Sequence, residues 1–298
     1  MATLEITTLI GCPLACKFCP QDKLTQNYTS NESRERSLSL DKFKVYLSNL
    51  PSHVRIDFSG FSEPFSNPEC MSMIKVASLT PNPIALYTTL QGVKVKDVDT
   101  LHFLIKSSRI TPFVIHLPDN YGNMLGFKMT DEYLYALEIL SALPEASLMT
   151  MSDKAAIHPD LLEQIKLFNN ADLILGKLPR SAFVGVSRAG TLNMDKVDGQ
   201  QVMQECNWKC AISCKSTPFY DHNVLLPDGR VALCCMDYGL QHIIGDISGG
   251  YYNMFENSRE LAKVHAANMA YVGKSICRNC ENVICHETDS NGQWKSSA

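Results

Sequence analysis

The stretch GCPLACKFCPQD, residues 11–22, places Cys12, Cys16 and Cys19 in the spacing C-x3-C-x2-C. Three thiols are one short of a tetrahedral set. A structural zinc site takes four protein ligands, usually in close pairs, and no partner pair lies nearby in sequence. An iron–sulfur cubane also takes four ligands, one per iron. If the protein supplies three, the fourth iron stays open, and an open position is where a metal site does chemistry. Close spacing lets one loop wrap three corners of the cube. Chance explains the pattern poorly, since it would arise about once or twice in a hundred such sequences.

The rest of the chain must build a frame for that loop. Its 298 residues suffice for one large domain or two. Apolar residues make up 45% and charged ones 19%, which fits a folded globular protein and argues against disorder. The formal charge of −4 and the lack of a basic stripe argue against nucleic acid as a partner. The polar run NESRER, residues 31–36, mixes both signs and reads as a solvated loop. No segment approaches the ~18 continuous apolar residues of a membrane span, and the N-terminus lacks the basic start of a signal peptide. The expected compartment is therefore cytoplasmic, with no membrane partner. In a reducing compartment the twelve cysteines read as metal ligands and not as a disulfide framework.

Strand-like and helical patterns alternate from residue 4 to residue 178. Apolar runs at 4–10, 53–62, 84–90, 110–117, 146–152 and 171–178 read as strands. Helical spacing at 39–50, 68–79, 98–108, 130–143 and 158–170 fills the gaps, with Ser39 and Thr130 or Asp131 as N-caps and Pro68 opening the second helix. The period is that of parallel βαβ units, and continuous apolar runs suit strands covered on both faces. Six steps are too few for a closed eight-stranded barrel, so a partial barrel or a doubly wound sheet fits. In either, ligands sit at the C-terminal strand ends, where the three-cysteine loop lies. After about residue 180 the chain turns polar and irregular. HNVLLPDGRVALCC, residues 222–235, then reads as strand, Pro-Asp-Gly turn, strand. A boundary near 200 divides the chain into 1–200 and 201–298.

C-x3-C-x-aromatic-C after the first strand of a βα series resembles the radical S-adenosylmethionine (SAM) superfamily, with Phe18 as the aromatic. The resemblance implies a partial (β/α)6 TIM-like barrel. It implies a 4Fe–4S cluster on Cys12, Cys16 and Cys19 whose open iron binds SAM. The reduced cluster then cleaves SAM to a 5′-deoxyadenosyl radical, which takes a hydrogen atom from substrate. FSGFSEP, residues 58–64, is similar to the family's G-G-E-P stretch, with Gly60 and Glu63 in the SAM-binding positions and Ser62 in place of the second glycine. YTTLQG, residues 87–92, resembles the T-N-G turn after the third strand, with Gln91 in place of asparagine.

Eight cysteines lie between 206 and 285. Cys214, Cys234, Cys277 and Cys280 are the most economical four-ligand set, and by themselves they fit a zinc ribbon or a cluster. The run CKSTPFYDHNVLLPDGRVALC followed by a distant C-x2-C resembles the auxiliary-cluster region called twitch, or its longer form SPASM. That implies a small hairpin-plus-helix domain holding at least one auxiliary 4Fe–4S cluster. Cys206, Cys210, Cys235 and Cys285 are left over. They are enough for a second cluster, although a single one is the simpler expectation, and Cys235 and Cys285 are candidate hydrogen-atom donors. Cys70 reads as a buried apolar residue, and His116, at the end of the fourth strand facing the expected site, as a core histidine ahead of a catalytic one. Asp119, Asp153, Arg180 and Arg188 lie near strand ends as loop charges with a possible grip on substrate.

The closing loop ICRNCENV is similar to that of aminocyclitol dehydrogenases and aminoglycoside epimerases. The resemblance implies an oxidoreductase or epimerase acting on a small polar substrate such as a sugar, aminocyclitol or glycoside. It also implies a one-electron reductant such as flavodoxin or ferredoxin. A peptide-modifying maturase is the enzyme alternative. The non-enzyme alternative is an iron–sulfur or zinc scaffold protein.

Overall fold

The computed structural model describes residues 1–30, 35–150, 156–179, 184–185, 187–192, 201–202, 207–270, 273–288 and 294–296. Cys206, Asp153, Arg180 and the expected boundary near 200 lie outside these residues.

Five strands run parallel and in sequence order: β1 (Thr3–Ile6), β2 (Arg55–Phe58), β3 (Ile84–Thr88), β4 (Ile110–Leu117) and β5 (Ala146–Thr150). The helices between them are α1 (Gln21–Ser30) and α2 (Leu40–Ser48), then α3 (Cys70–Ser78), α4 (Val95–Lys106) and α5 (Asp131–Ser141). Ser39 caps α2 by accepting from the Lys42 N–H, and Thr130 caps α5 by accepting from the Tyr133 N–H, each satisfying a donor the helix leaves unpaired.

The expected strand at 171–178 is a helix. After β5 come α6 (Pro159–Ile165) and α7 (Ala171–Lys177). A short apolar run reads equally as a strand or a buried helix segment. Here burial is one-sided, with Ile174 inside and Leu173 exposed. Next come the short paired strands β6 (Val184–Gly185) and β7 (Gln201–Val202), then β8 (Ala211–Cys214).

The sixth parallel strand comes from the C-terminal region. The predicted hairpin forms β9 (His222–Leu225) and β10 (Arg230–Ala232), extended by β11 (Ile243–Asp246). β9 pairs parallel with β1, with His222 opposite Thr3 and Val224 opposite Glu5. The sheet order is β11-β10-β9-β1-β2-β3-β4-β5, an open mixed sheet. Helices α8 (Tyr251–Glu256) and α9 (Arg259–Ala270) follow. Finally β12 (Val283–Thr288) pairs antiparallel with β8 and with β13 (Trp294–Ser296). Among the described residues no helix is long and apolar enough to cross a membrane.

The strands are not covered alike on both faces. Leu4, Ile6, Ile56, Phe58, Ile84 and Leu86 point outward and pack under the helices with Phe43, Met73, Leu101 and Leu137. Each such side chain contributes ~1.5–3 kcal/mol by leaving water. The alternate positions Glu5, Arg55, Asp57, Ser59, Tyr87 and His116 line a cavity inside the curve of the sheet. Apolar-out, polar-in alternation in β1 and β2 therefore replaces the continuous apolar strand expected from sequence. The inner face is polar because it walls a cavity of about 400 Å³.

Candidate active site

The three-cysteine loop leaves β1 at its C-terminal end, on the expected face. Cys12, Cys16, Phe18 and Cys19 all line the cavity. The segment after β4 clasps the loop from outside. Cys16 forms a bridge with Met124, Lys17 N–H donates to the Asn123 carbonyl, and Gly126 N–H donates to the Leu14 carbonyl. A Cβ on Gly126 would run into the Pro13 carbonyl, so glycine permits this close approach. Asp119 belongs to the clasp and is not a free loop charge. It is buried, and its Oδ1 accepts from the Tyr121 and Asn123 N–H groups.

Protein groups reach the sulfurs, among them the Leu14 backbone at Cys12. Glu63 N–H lies 3.4 Å from Cys12 Sγ, Gln21 Nε2 lies 3.3 Å from Cys19 Sγ, and Cys19 Sγ is 3.3 Å from the Tyr238 hydroxyl. Burial pushes the Cys12 thiol up to about 11 and raises Cys16 further, aided by the neighbouring cysteines. A metal that binds there must displace protons, because thiolate is the ligand.

Glu63 sits 5% exposed where the sequence places it, just past β2. Its Oε1 accepts from Thr88 Oγ1 at 2.6 Å and Phe65 N at 3.2 Å. Its Oε2 accepts from Thr89 N at 2.6 Å and Thr89 Oγ1 at 2.7 Å. Burial raises its pKa, while these donors pull it back down. The turn after β3 thus acts by holding Glu63, a role for Thr88 and Thr89 that sequence reasoning missed. Gln91 side-chain atoms exchange hydrogen bonds with the Lys128 backbone, tying the same turn to the clasp. Ser62 Oγ accepts from the Leu9 N–H. Gly60 has φ +57°, and a Cβ there would meet Thr7 Oγ1 at 2.6 Å and the Thr7 nitrogen at 2.7 Å. Only glycine fits that contact without a shift.

The other end of the cavity is charged. Arg55 grips Asp57 through two bonds of 2.6 and 2.7 Å. Burial and the nearby Asp57 push the Glu5 carboxyl up to about 7. Ser59 Oγ and the Cys235 thiol hydrogen-bond to Glu5. Arg188 lines the cavity from a left-handed backbone at φ +53°, with its guanidinium 5.5 Å from the Tyr238 ring centre. Its Nε is buried without a hydrogen-bond partner. Burial, reinforced by Arg188, lowers His116 to about 4, so its imidazole is neutral. The signal for Glu5, Arg55 and Asp57 was in the sequence as charges at every second strand position.

A second cavity of about 90 Å³ lies behind this wall. Cys214, Cys234, Cys277 and Cys280 all line it, with apolar Met236, Ile276 and Val283. These four come from β8, the end of the hairpin and the closing loop. Arg278 fastens that loop by donating to the carbonyls of Trp208, Cys210, Ala267 and Asn268. His242 Nε2 accepts from the Ile276 N–H, which places the proton on Nδ1 toward Glu260. Glu281, next to Cys280, accepts from the Ser187 N–H and so fixes the residue before Arg188.

Cys285 is not a free thiol. It is disulfide-bonded to Cys210, with Cα atoms 5.8 Å apart, so it has no S–H to give. The pairing also removes two of the four thiols of a second auxiliary cluster. Cys70 is fully buried and apolar in surroundings, as expected. Among the described residues no group of three or more His, Cys, Asp or Glu side chains is arranged to hold a metal ion.

No protein-family model and no curated protein sequence matches the chain. Solved structures do match; among them, BtrN and SuiB are radical SAM enzymes, and the likeness shows a shared fold. One is BtrN in complex with AdoMet and 2-DOIA, at TM-score 0.54 and 16% identity, covering 95% of this chain and 93% of that one. BtrN in an open conformation matches at TM-score 0.52 and 15% identity, covering 95% and 92%. SuiB of Streptococcus suis bound to precursor peptide SuiA matches at TM-score 0.50 and 14% identity, covering 94% of this chain and 69% of SuiB.

Proposed function

We propose that the chain is a radical SAM enzyme that acts on a small polar, carbohydrate-like substrate. The observation that carries this reading is one cavity joining Cys12, Cys16 and Cys19 to Glu5, Asp57 and Arg188. Three thiols on one loop suit a cluster with one open iron, and the cavity's fourth cysteine, Cys235, is engaged with Glu5 instead. Phe18, Gly60 and Glu63 would hold SAM beside it. The Thr88 and Thr89 hydroxyls are the donors to Glu63 that an incoming ammonium can replace. When bound and reduced, the cluster with SAM supplies a 5′-deoxyadenosyl radical that takes a hydrogen atom from the substrate.

The protein's own groups orient that substrate. Asp57 accepts from a hydroxyl or ammonium group, Arg188 offers its unpartnered Nε, and neutral His116 donates or accepts without adding charge. Cys214, Cys234, Cys277 and Cys280 would hold an auxiliary 4Fe–4S cluster, whose four thiolates leave no open iron. The support for a cluster there is that the four thiols line one small cavity. Electrons come from a flavodoxin- or ferredoxin-like reductant. The division into 1–200 and 201–298 separates these two sets of cysteines, while β9, β10 and β11 of the second part complete the sheet of the first.

Cys235 is the free thiol on the reaction cavity beyond the three loop cysteines, which favours return of a hydrogen atom and thus epimerisation. Oxidation is the second reading. It is favoured by the wall of Glu5, His222 and Cys235 that the two cavities share, which puts an electron acceptor next to the substrate. The test is anaerobic reconstitution with iron and sulfide, then dithionite, SAM and a panel of aminocyclitols and glycosides in deuterated water. 5′-Deoxyadenosine is expected. Deuterium at an inverted carbon marks epimerisation, and a ketone product without it marks oxidation. Absence of 5′-deoxyadenosine from iron-loaded protein would leave the scaffold alternative. Product from peptides alone would point to a maturase.

A further inference from the structure

Glu5, His222 and Cys235 belong to both cavities at once. The Glu5 carboxylate accepts a hydrogen bond from the Cys235 thiol and another from Ser59 Oγ at 3.3 Å. A thiol that gives a hydrogen atom to a carbon radical becomes a thiyl radical, and needs one electron and one proton to be restored. The electron can cross a protein wall by tunnelling. The proton needs a hydrogen-bonded carrier in contact with the sulfur.

We propose that Glu5 is the proton carrier that restores Cys235 after each turnover, resting on the reading of Cys235 as hydrogen-atom donor. In the first step the Cys235 S–H bond breaks homolytically and a substrate C–H bond forms. In the second, one electron from the low-potential reductant protein and the proton of the Glu5 carboxyl reach the thiyl radical. The S–H bond reforms and Glu5 becomes a carboxylate. Glu5 then takes a proton from solvent through the reaction cavity, so restoring the thiol consumes one electron and one proton, in addition to the electron that cleaves SAM.

The surroundings suit a group that both gives and takes a proton near neutrality. Glu5 lies on β1 with Asp57 and Arg55 from β2, Tyr87 from β3 and His222 from β9 around it. Arg188 and Cys235 close the ring from the other side. Burial and Asp57 favour the protonated carboxyl, while Arg188, Ser59 and Cys235 favour the carboxylate. These opposed influences bring the group to about 7, where it exchanges protons readily.

The test uses reconstituted full-length protein, with Glu5→Gln, Glu5→Asp and Cys235→Ser beside wild type. Wild type should incorporate solvent deuterium and Cys235→Ser should not; if wild type forms 5′-deoxyadenosine without deuterium transfer, the donor reading fails and this proposal falls with it. Glu5→Gln should complete a first turnover with its preloaded thiol, then slow roughly tenfold or more in later ones, with Glu5→Asp partly restoring the rate. Its pH–rate profile should lose the limb near neutrality. The S–H infrared band of Cys235, assigned by its absence in Cys235→Ser, should move to higher frequency in Glu5→Gln as the bond to the carboxylate is lost. If deuterium transfer requires Cys235 but Glu5→Gln keeps its multiple-turnover rate, pH profile and S–H band, Glu5 is not the carrier.

Discussion

The two cysteine sites differ in an instructive way. The N-terminal loop offers three thiols to a roomy cavity of about 400 Å³ with charged residues in its wall, whereas the C-terminal set offers four thiols to a mostly apolar one of about 90 Å³. The site with fewer ligands has the space, charge and flanking donors to receive something besides metal. The site with a full complement is closed off, held by Arg278 from one side and His242 from another. Ligand number and cavity shape agree in both places, which separates a site for chemistry from one for structure or electron transfer.

The sharpest way to break that comparison is to remove one thiol from each site. Both Cys16→Ala and Cys277→Ala should lower bound iron, from about eight per chain toward about four. Only Cys16→Ala should abolish the SAM-induced change in the cluster's electron paramagnetic resonance signal and reduce 5′-deoxyadenosine to background. Equal spectral losses from the two variants would overturn the assignment of roles.

A smaller effect is expected at Glu63, which belongs to the first site alone. Glu63→Gln replaces one acceptor oxygen by a donor facing Thr88 or Thr89. It should cost about 2–3 kcal/mol in urea unfolding and weaken SAM binding in equilibrium dialysis.

Glu5 stands on the wall between the sites, and its effect depends on pH. Its folded pKa of about 7 lies above the ordinary carboxylate value, so the folded chain holds a proton that the unfolded chain releases. Wild type therefore loses stability as pH rises from about 4.5 to about 7. Glu5→Gln lacks that loss and should gain roughly 1–3 kcal/mol on wild type between pH 5 and pH 8, read from unfolding midpoints of cluster-free protein. The least effect is expected away from both sites. Ser39→Ala removes the α2 cap and should cost about 1 kcal/mol while leaving iron content unchanged.

The alternation of strands and helices up to β5 was legible because each amphipathic or apolar run was long enough to reveal its period. The three-cysteine loop and the four late cysteines stood out by spacing and Glu63 by its likeness to a family motif; the fold puts the first and third on one cavity and the four late cysteines on another. The run at 171–178 was misread because seven or eight apolar residues carry no decisive period. Glu5, Arg55 and Asp57 were passed over because a charge in a short strand reads as a solvent-facing residue until the curved sheet is known to enclose a cavity. Cys285 was misassigned because nothing local marks which thiol will come within bonding reach of Cys210 once β8 and β12 pair.

By itself, then, the sequence determined the chemistry that each stretch can offer: three close thiols, a βα period, a C-x2-C loop and a hairpin. Local residue type and short-range spacing are properties of the chain alone. Tertiary structure decided which of these meet. β9 enters the sheet beside β1 from more than two hundred residues away, and this pairing brings Cys235 to Glu5 and sets the two cavities back to back. Long-range strand pairing is selected by the packing of the whole core and not by the local sequence of either strand, so that wall could be read only from the fold.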